Sequence, residues 1–389
     1  MNSKAYSLIL LQAVIGFVIG TIAACSPTKF TSGNELSNSC NDQTQNCVTK
    51  DSYNIYNKSF KVGAGKVDIL FVDDNSASMS FEQKNMAAKF GGFVEALDRK
   101  QIDYRIAITT TDLNAVSQNK LITFGNGNKF LTNSDSNRVG FFNSAIVRSE
   151  TITCENYIRG IINTYGSEWR SASEYQANYS KMCPSPDERG IYTASLVLST
   201  NAENFVRPDA NLSIILISDE DVRSGNETLE ANDKYDSFIS MMNSKYASKY
   251  WDFNSIIVKD NTCIAIQNHE ILDQQGRSAV TSSIGYEYAK ISNSAARDID
   301  NNPRPRGQIL DICQSDYSQH FNAIETQISE SSRLFTLACK PDGAPVITTK
   351  DGANTTVPYT WDGDRKIVFS RGSEGIEVNI NYRCYVGVK

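Results

Sequence analysis

The sequence is poor in histidine, in excess positive charge and in familiar catalytic motifs. Only two histidines, His269 and His320, occur in 389 residues, which disfavours histidine-ligated zinc and histidine acid–base catalysis. The formal net charge of −6 argues against nucleic-acid binding, because a phosphate-binding surface needs clustered basic residues. No G-x-S-x-G, P-loop or H-E-x-x-H motif is present, so the commonest signatures of serine hydrolases, P-loop nucleotide-binding proteins and zinc proteases are missing.

The N-terminus carries a short apolar run after a single positive charge. Residues 8–19 follow Lys4 and are too few to cross a bilayer as a stable helix, so the run predicts a signal peptide. A few residues later comes I-A-A-C, ending at Cys25, which resembles the lipobox of bacterial lipoproteins. The resemblance implies cleavage before Cys25, lipidation of that cysteine and, because Ser26 follows, anchoring in the outer membrane. The alternative is an ordinary signal peptide followed by an incidental cysteine.

Eight cysteines remain once Cys25 is set aside from the nine in the chain. An even number of cysteines in an exported chain predicts disulfide bonds. A metal cluster is the competing interpretation, but the sequence contains no C-x-x-C pair. We favour sequential pairing, in which each bond closes a local loop: Cys40–Cys47, Cys154–Cys183, Cys263–Cys313 and Cys339–Cys384.

Apolar runs of strand length predict the buried strands of a sheet. Continuous runs of this kind are typical of parallel strands that helices cover on both faces. The runs lie at 67–72, 106–108, 214–217 and 256–258. Helices are predicted after Ser80 and at 187–205, 230–248, 284–296 and 316–331. The predicted fold class is therefore α/β, with a doubly wound, mostly parallel sheet of the Rossmann-like type.

Two insertions and the chain ends are predicted to depart from this pattern. Residues 113–150 predict a hairpin around an Asn-Gly turn, and 298–306 predict a Pro- and Asn-rich loop. After residue 332, short runs separated by Gly-rich turns predict a small all-β C-terminal unit. The predicted division of the chain is a signal peptide (1–24), a lipidated cysteine with a polar tether (25–62), an α/β domain (63–332) and a β-rich C-terminal domain (333–389).

Oxygen-bearing side chains follow two of the predicted strands. Asp74, Ser76 and Ser78 form a D-x-S-x-S sequence after the first strand, and Asp219 follows the strand at 214–217. Because the carboxyl ends of parallel strands meet at one edge of a sheet, these side chains are expected to converge. Carboxylate and hydroxyl oxygens suit a hard cation, so we expect Mg²⁺, with Ca²⁺ or Mn²⁺ as alternatives. The plainer interpretation is a loop that caps its helix and binds no ion.

The D-x-S-x-S motif, with a buried strand before it and a helix after it, resembles the von Willebrand factor A domain. That family has a metal-ion-dependent adhesion site (MIDAS), whose ligands are the three motif residues, a Thr and a later Asp. The resemblance to this domain covers residues 63–332. The whole chain is similar to bacterial envelope lipoproteins that carry this domain with a short β-rich tail. It implies a metal site at Asp74, Ser76, Ser78 and Asp219.

One ligand departs from the family pattern. Where the family has Thr, this chain has an acidic segment in which we align Glu188, with Asp187 and Thr193 as alternatives. Asp112 is expected near the site without being a ligand. A carboxylate in the Thr position adds a third negative charge, which strengthens cation binding and leaves the ion less electrophilic toward a partner's carboxylate.

Other polar and aromatic clusters carry weaker signals. Asp219, Glu220 and Asp221 are consecutive, so their side chains point in different directions. A catalytic pair of carboxylates is one interpretation. The plainer interpretation is that one of the three is a metal ligand and the other two are solvated acids. His320 is expected on the polar side of the last helix. Three aromatic residues between Cys154 and Cys183 are expected either on a binding face or packed beneath the insertion: Trp169, Tyr175 and Tyr179.

Three functions from different classes are compatible with these patterns. The first is a lipid-anchored envelope binding protein or adhesin, not an enzyme, whose protein or surface partner supplies an oxygen ligand to the cation. The alternative is an envelope scaffold or assembly lipoprotein that acts without metal-mediated ligand binding. A metal-dependent hydrolase has the least support, because the sequence suggests no general base beyond carboxylates. Membrane contact is expected through the lipid anchor alone.

Overall fold

The computed structural model describes residues 40, 47–113, 121–201, 203–223, 228–351 and 356–386. The predicted signal peptide and the predicted lipidation site Cys25 lie outside the described residues. Within the described part, no helix has both the length and the apolar character needed to cross a membrane.

The described chain contains both strands and helices, and several of them follow another element of the same kind. The strands are β1 (Cys47–Lys50), β2 (Tyr53–Lys61), β3 (Lys66–Asp73), β4 (Asp103–Thr110), β5 (Leu131–Thr132), β6 (Asn211–Ser218), β7 (Trp251–Ile257), β8 (Ala295–Arg297), β9 (Pro303–Pro305), β10 (Ile309–Asp311), β11 (Leu334–Thr336), β12 (Val346–Thr349), β13 (Tyr359–Trp361), β14 (Lys366–Phe369) and β15 (Glu377–Tyr385). The α-helices are α1 (Ser80–Arg99), α2 (Arg138–Ile146), α3 (Ser149–Tyr165), α4 (Ser173–Met182), α5 (Gly190–Thr200), α6 (Tyr235–Lys245), α7 (Asn261–Gln267), α8 (Tyr286–Ser292) and α9 (Ser318–Ser331).

A mixed six-stranded sheet forms the centre of the protein, in the order β10-β7-β6-β3-β4-β5. Strands β10, β7, β6, β3 and β4 are parallel to one another, whereas the edge strand β5 pairs antiparallel with β4. Strands β3, β4, β6 and β7 contain the apolar runs seen in the sequence, so those strand predictions are confirmed. Helices α1, α5, α6, α8 and α9 also lie where helices were predicted.

The apolar runs are continuous because both faces of the central strands are buried. Successive residues of a strand point to opposite faces, and along β3 Phe71 belongs to one apolar cluster while Leu70 and Val72 belong to another. The first cluster includes Phe90 of α1, and the second includes Ile191 of α5. Each face of β3 therefore needs apolar side chains, which removes the polar positions that an exposed face would show.

A second sheet joins segments from the two ends of the described chain. Its order is β1-β2-β15-β12 and its pairs are antiparallel. The longest pair is β2 with β15, which runs from Lys61 opposite Glu377 to Tyr53 opposite Tyr385. Residues 47–61, which the sequence analysis placed in the polar tether, thus form two strands of a sheet.

The predicted fold class is wrong. The described residues form a mixed α/β structure with one mixed central sheet and three small antiparallel sheets, in the orders β1-β2-β15-β12, β11-β14-β13 and β8-β9. It is not a doubly wound, mostly parallel sheet followed by a separate all-β unit, because β15 near one end pairs with β2 near the other. Local apolar periodicity indicates where strands lie but does not identify their partners, so this long-range pairing was missed.

Several local predictions also differ from the structure. Of the predicted hairpin around residues 121–131, only Leu131 and Thr132 form a strand, and that strand pairs with β4. The predicted loop at 298–306 contributes β9 to a small hairpin with β8. His320, expected on the polar side of the last helix, is buried, and its Nε2 lies 2.8 Å from the carbonyl oxygen of Asp311.

The disulfide pairing is the sequential one that the sequence favoured. The cysteines lie 7, 29, 50 and 45 residues apart in the four bonds, which are Cys40–Cys47, Cys154–Cys183, Cys263–Cys313 and Cys339–Cys384. The disulfide prediction is therefore confirmed, and each bond closes a loop within one region of the chain.

Candidate metal site

The D-x-S-x-S loop turns its oxygen atoms toward one another directly after β3. The carboxylate Oδ1 of Asp74 accepts a hydrogen bond from the backbone N–H of Ser76 at 2.8 Å. The hydroxyl oxygens of Ser76 and Ser78 are 3.0 Å apart. This local turn ends in a short 3-10 segment that leads into α1, so the loop is held between a buried strand and a helix whose first turn is largely buried.

The second loop follows β6, the strand next to β3. The backbone N–H of Asp74 donates to the carbonyl of Ile217 within β6 at 3.1 Å, which extends the strand pairing one residue past the end of β3. The Ser78 hydroxyl donates to Oδ1 of Asp219 at 3.2 Å, and the Ser218 hydroxyl donates to Oδ2 of Asp74 at 2.6 Å. The structure thus brings the two predicted loops together and adds Ser218, which the sequence analysis did not select.

Glu188 reaches the same place from the segment before α5. The hydroxyl of Thr111 donates to its Oε2, and the backbone N–H of Arg223 donates to its carbonyl at 2.9 Å. The backbone of Glu188 pairs with that of Asp112 in an isolated antiparallel β-bridge. Repulsion from Asp74 is, after burial, the largest cause that raises the pKa of Glu188, so the two carboxyl groups are close enough to interact. Glu188 is therefore the acidic residue of this segment that meets the D-x-S-x-S loop.

The alternatives to Glu188 are engaged elsewhere. Thr193 lies inside α5, where its hydroxyl donates to the carbonyl of Gly190 at 3.2 Å. A carboxylate oxygen of Asp187 is 3.5 Å from the guanidinium of Arg223. Asp112, expected nearby, accepts a hydrogen bond from the backbone N–H of Ser185 at 3.2 Å, a contact that ties the Glu188 segment to the end of β4.

Three carboxylates are buried together at this edge of the sheet. Asp74, Glu188 and Asp219 are 0%, 1% and 0% exposed. Burial, followed by repulsion from Asp74, raises the pKa of Glu188 and of Asp219 well above the ordinary range. Burial also raises the pKa of Asp74, although hydrogen bonds from Ser218 and Ser76 oppose that shift. Within the described residues, none of the three carboxylates forms a salt bridge with Lys or Arg.

Two carboxylate oxygens at the site have no hydrogen-bond partner among the residues described. They are Oε1 of Glu188 and Oδ2 of Asp219. An ionised carboxylate only accepts hydrogen bonds, so adjacent carboxylates need a proton or a cation between them. Hydroxyl and carboxylate oxygens are ligands of Mg²⁺, Ca²⁺ and Mn²⁺. The residues present therefore fit a hard divalent cation.

The carboxylates alone do not form a tight cluster of ligands. In the described part of the chain, one group of three Cys, Asp or Glu ligand atoms lies within 4.8 Å of one another, and it consists of Cys263, Asp311 and Cys313. That group lacks thiolates, because Cys263 and Cys313 are joined by a disulfide. At the candidate site, serine and threonine hydroxyls donate hydrogen bonds to the acidic groups, Ser78 to Asp219 and Thr111 to Glu188.

The acidic residues that follow Asp219 point away from a common centre. Asp221 accepts a hydrogen bond at 3.0 Å from the backbone N–H of Glu287 near the start of α8, and burial raises its pKa to about 6. The carboxylate of Glu220 accepts from the hydroxyl of Thr281 at 3.0 Å. The three consecutive acids therefore do not form a catalytic pair.

The aromatic residues of the Cys154–Cys183 segment pack against one another. Trp169 is buried, and its ring lies 5.0 Å from that of Tyr175, whose ring lies 5.4 Å from that of Tyr179. They join an apolar cluster that includes Ile158 and Ile271. Of the two expectations for these residues, packing beneath the insertion is the one that the structure shows.

No family model matches the chain, and no curated protein matches it. Among solved structures, the pilus adhesin SpaC from Lactobacillus rhamnosus GG in its open conformation is 11% identical with a TM-score of 0.36, over 90% of this chain and 45% of that chain. The adhesive tip pilin GBS104 from Group B Streptococcus agalactiae is 14% identical with a TM-score of 0.22, over 40% of this chain and 45% of that chain. Proximal thread matrix protein 1 from the mussel byssus is 13% identical with a TM-score of 0.30, over 71% of this chain and 48% of that chain.

Bacterial pilus adhesins are therefore among the structural neighbours. This chain spans less than half the length of each of the three matched chains. Because all three TM-scores are below 0.5, these likenesses assign neither the fold nor the function of this chain.

Proposed function

We propose that this protein is a lipid-anchored binding protein of the cell envelope that holds a partner through a divalent cation at Asp74, Ser76, Ser78, Glu188 and Asp219. One observation carries the proposal: three fully buried carboxylates from three separate segments approach one another without a salt bridge to Lys or Arg in the described residues. Leaving three such groups uncompensated costs folding free energy. A site that receives its positive charge from solution accounts for this arrangement.

A bound Mg²⁺, Ca²⁺ or Mn²⁺ would supply an electrophilic centre for an oxygen atom of the partner. Ser76 and Ser78 provide neutral oxygens, while Asp74 and Asp219 provide charge from the ends of adjacent strands. Glu188 adds a further carboxylate, so this site is expected to hold its cation tightly and to polarise a partner's carboxylate less than a site with a hydroxyl there. The resemblance of the D-x-S-x-S loop to a MIDAS supports the same interpretation.

The proposed location is the outer membrane, with the protein anchored at Cys25 and not spanning the bilayer. The lipobox-like sequence before Cys25 supports this location. A binding role is favoured over an enzymatic one. In the described chain, His269 and His320 bond to the carbonyls of Ala265 and Asp311, and the acids of the site accept hydrogen bonds from serine and threonine hydroxyls.

The test is isothermal titration of the metal-stripped protein with Mg²⁺, followed by measurement of adhesion of cells that display it. We expect one Mg²⁺ per chain, and we expect Asp74→Ala and Ser78→Ala to lose both Mg²⁺ binding and adhesion. Asp252→Asn is the matched control, since Asp252 is a buried carboxylate bonded to Ser213 at 2.6 Å and takes no part in the site.

The envelope-scaffold alternative gives a different pattern in the same experiment. Under that alternative, Asp219→Ala loses stability but the variant still binds its partner. Adhesion that persists in chelator, or in the folded Asp74→Ala variant, would contradict the proposed mechanism.

A further inference from the structure

We infer that the helical segment closed by the Cys154–Cys183 disulfide positions two loops of the candidate metal site relative to each other. This inference rests on the proposed function and concerns the preorganisation of that same site. The two loops are the D-x-S-x-S loop and the segment that carries Glu188. Gln83 and Thr151 are the positioning residues, because they connect the first loop to the start of α3.

Gln83 holds the D-x-S-x-S loop from inside α1. Its side chain is buried, and Nε2 donates to the carbonyl of Asp74 at 2.9 Å and to Oδ2 of Asp73 at 3.3 Å. Its Oε1 accepts from the backbone N–H of Arg148 at 3.0 Å. Arg148 directly precedes α3, so one carboxamide links the loop backbone to the beginning of that helix.

Thr151 makes the second connection. Its hydroxyl is buried in the first turn of α3 and donates to the carbonyl of Asn75 at 2.8 Å. It also lies 3.3 Å from Nε2 of Gln83. Consecutive carbonyls of the metal loop, those of Asp74 and Asn75, are thus held by Gln83 and by a side chain of α3.

The disulfide continues this connection to the Glu188 segment. Cys154 lies three residues after Thr151 in α3, and its partner Cys183 follows α4 and precedes Glu188 by five residues. Five residues span at most about 18 Å. The hydrogen bond from the backbone N–H of Ser185 to Asp112, at 3.2 Å, further restricts the movement of this segment. A covalent bond and several hydrogen bonds therefore join the two loops outside the central sheet.

This connection matters because the two loops carry carboxylates that repel each other when ionised. Asp74 and Asp219 follow adjacent paired strands, so the sheet fixes their separation. Glu188 follows no strand of the sheet, and it is placed by Asp112, Thr111 and Arg223. Without the disulfide, relaxation of the Glu188 segment away from Asp74 is expected, and a loosely held site binds its ion less tightly.

The experiment compares Thr151→Val, which removes the hydroxyl, with Thr151→Ser, which keeps it. It also compares Cys154→Ala/Cys183→Ala with Cys339→Ala/Cys384→Ala, a matched removal of a disulfide between β15 and the segment after β11. The measurements are Mg²⁺ affinity by titration calorimetry, hydrogen exchange of residues 74–79 and 185–189, and unfolding by denaturant. All affinities are measured under conditions in which each variant is folded.

We expect Thr151→Val and the Cys154/Cys183 variant to lose about 10- to 100-fold in Mg²⁺ affinity, the range typical of residues that support metal ligands. Thr151→Ser and the Cys339/Cys384 variant are expected to keep wild-type affinity, even where the latter loses stability. Equal Mg²⁺ affinities in the two disulfide variants would overturn the inference, since they would reduce the Cys154–Cys183 bond to a general stabiliser.

Hydrogen exchange separates failure of this inference from failure of the proposed function. If the wild-type protein binds no Mg²⁺, the proposed function is wrong, and the positioning role is then judged by exchange alone. Faster exchange at 74–79 and 185–189 in Thr151→Val than in Thr151→Ser supports it. Identical exchange in the two variants rejects it.

Discussion

A buried aspartate lies near each end of β3, and the two differ in whether a basic side chain pairs with them. Asp68, near the start of the strand, accepts hydrogen bonds from Nε of Arg207 at 2.8 Å and from the backbone N–H of Arg207 at 2.6 Å. Arg207 also pairs with Asp103 at 2.6 Å. Asp74, just past the other end, accepts hydrogen bonds from Ser76 and Ser218 and has no salt bridge within the described residues.

The difference shows which buried charge the fold itself compensates. Burial raises the pKa of Asp68 to about 6, and the guanidinium of Arg207 limits that rise. At the other end, burial and neighbouring carboxylates raise the pKa of Glu188 and Asp219 well above the ordinary range. The amino-terminal end is therefore a structural ion pair, whereas the carboxyl-terminal end has the character of a site that needs a cation from outside.

Removing the Arg207 guanidinium, which pairs with Asp68 near the start of β3, has the largest expected effect on stability. Arg207→Ala leaves Asp68 buried without its partner, and breaking a buried ion pair in this way costs about 3–5 kcal/mol. The free energy of unfolding in denaturant measures the loss. We expect Arg207→Lys to lose less and neither variant to change Mg²⁺ affinity. A loss under about 1 kcal/mol would show that Asp68 is compensated by other means.

Adding Mg²⁺ to the candidate site at Asp74, Glu188 and Asp219 has the next largest expected effect on the free energy of unfolding. At a free Mg²⁺ concentration 100 times its dissociation constant, stability is expected to rise by about 2.7 kcal/mol over the value in chelator. Asp219→Asn should lose this gain, and in chelator it should be more stable than the wild type because it removes a buried, unpaired charge. Denaturant unfolding with and without Mg²⁺ checks both statements. An equal gain from Mg²⁺ in the variant would contradict the metal assignment.

The acidic pair Glu82 and Glu270 gives the smallest expected effect, a dependence of the melting temperature on pH. Burial and then the neighbouring Glu82 raise the pKa of Glu270 from 4.5 to about 9. Because the pKa is raised in the folded state, the stabilising contribution is complete below the unfolded value and is lost as the pH rises through about 9. The melting temperature is therefore expected to fall as the pH rises from about 4.5 to about 9, and to level off above that range.

The control for this pH effect is Glu270→Gln, in which the fall should be shallower. Glu155→Gln should change it less, because Glu155 raises the pKa of Glu270 less than Glu82 does. A melting temperature that responds to pH identically in Glu270→Gln and the wild type would exclude the Glu82–Glu270 pair as the origin.

Local patterns were sufficient for the strands that position the candidate site. The run before Asp74 and the run before Asp219 are buried strands, whereas the assignment of metal ligands stays a prediction. The strand predictions succeeded because burial on both faces leaves a direct mark on composition. The disulfides were predictable for a related reason, since each bond joins cysteines that are neighbours in the order of the chain.

Long-range contacts account for what was missed. Helices α2, α3, α4 and α7 were not predicted, and in α4 no residue is buried, so no apolar stripe marks it. The roles of Gln83, Thr151 and Ser218 were also missed. Each of these polar residues is buried by neighbours distant in sequence, and nothing in its immediate surroundings distinguishes it from a solvated side chain.

The sequence by itself determined the positions of the central strands and of the oxygen-rich loops after β3 and β6, and it favoured the disulfide pairing without fixing it, because strand burial and ligand chemistry are properties of short segments. Only the tertiary structure decided that β2 pairs with β15 and that the acids beside β3 have no salt-bridge partner within the described chain while Asp68 has Arg207. Pairing between strands and compensation of charge depend on which distant segments meet, and that is settled when the chain packs.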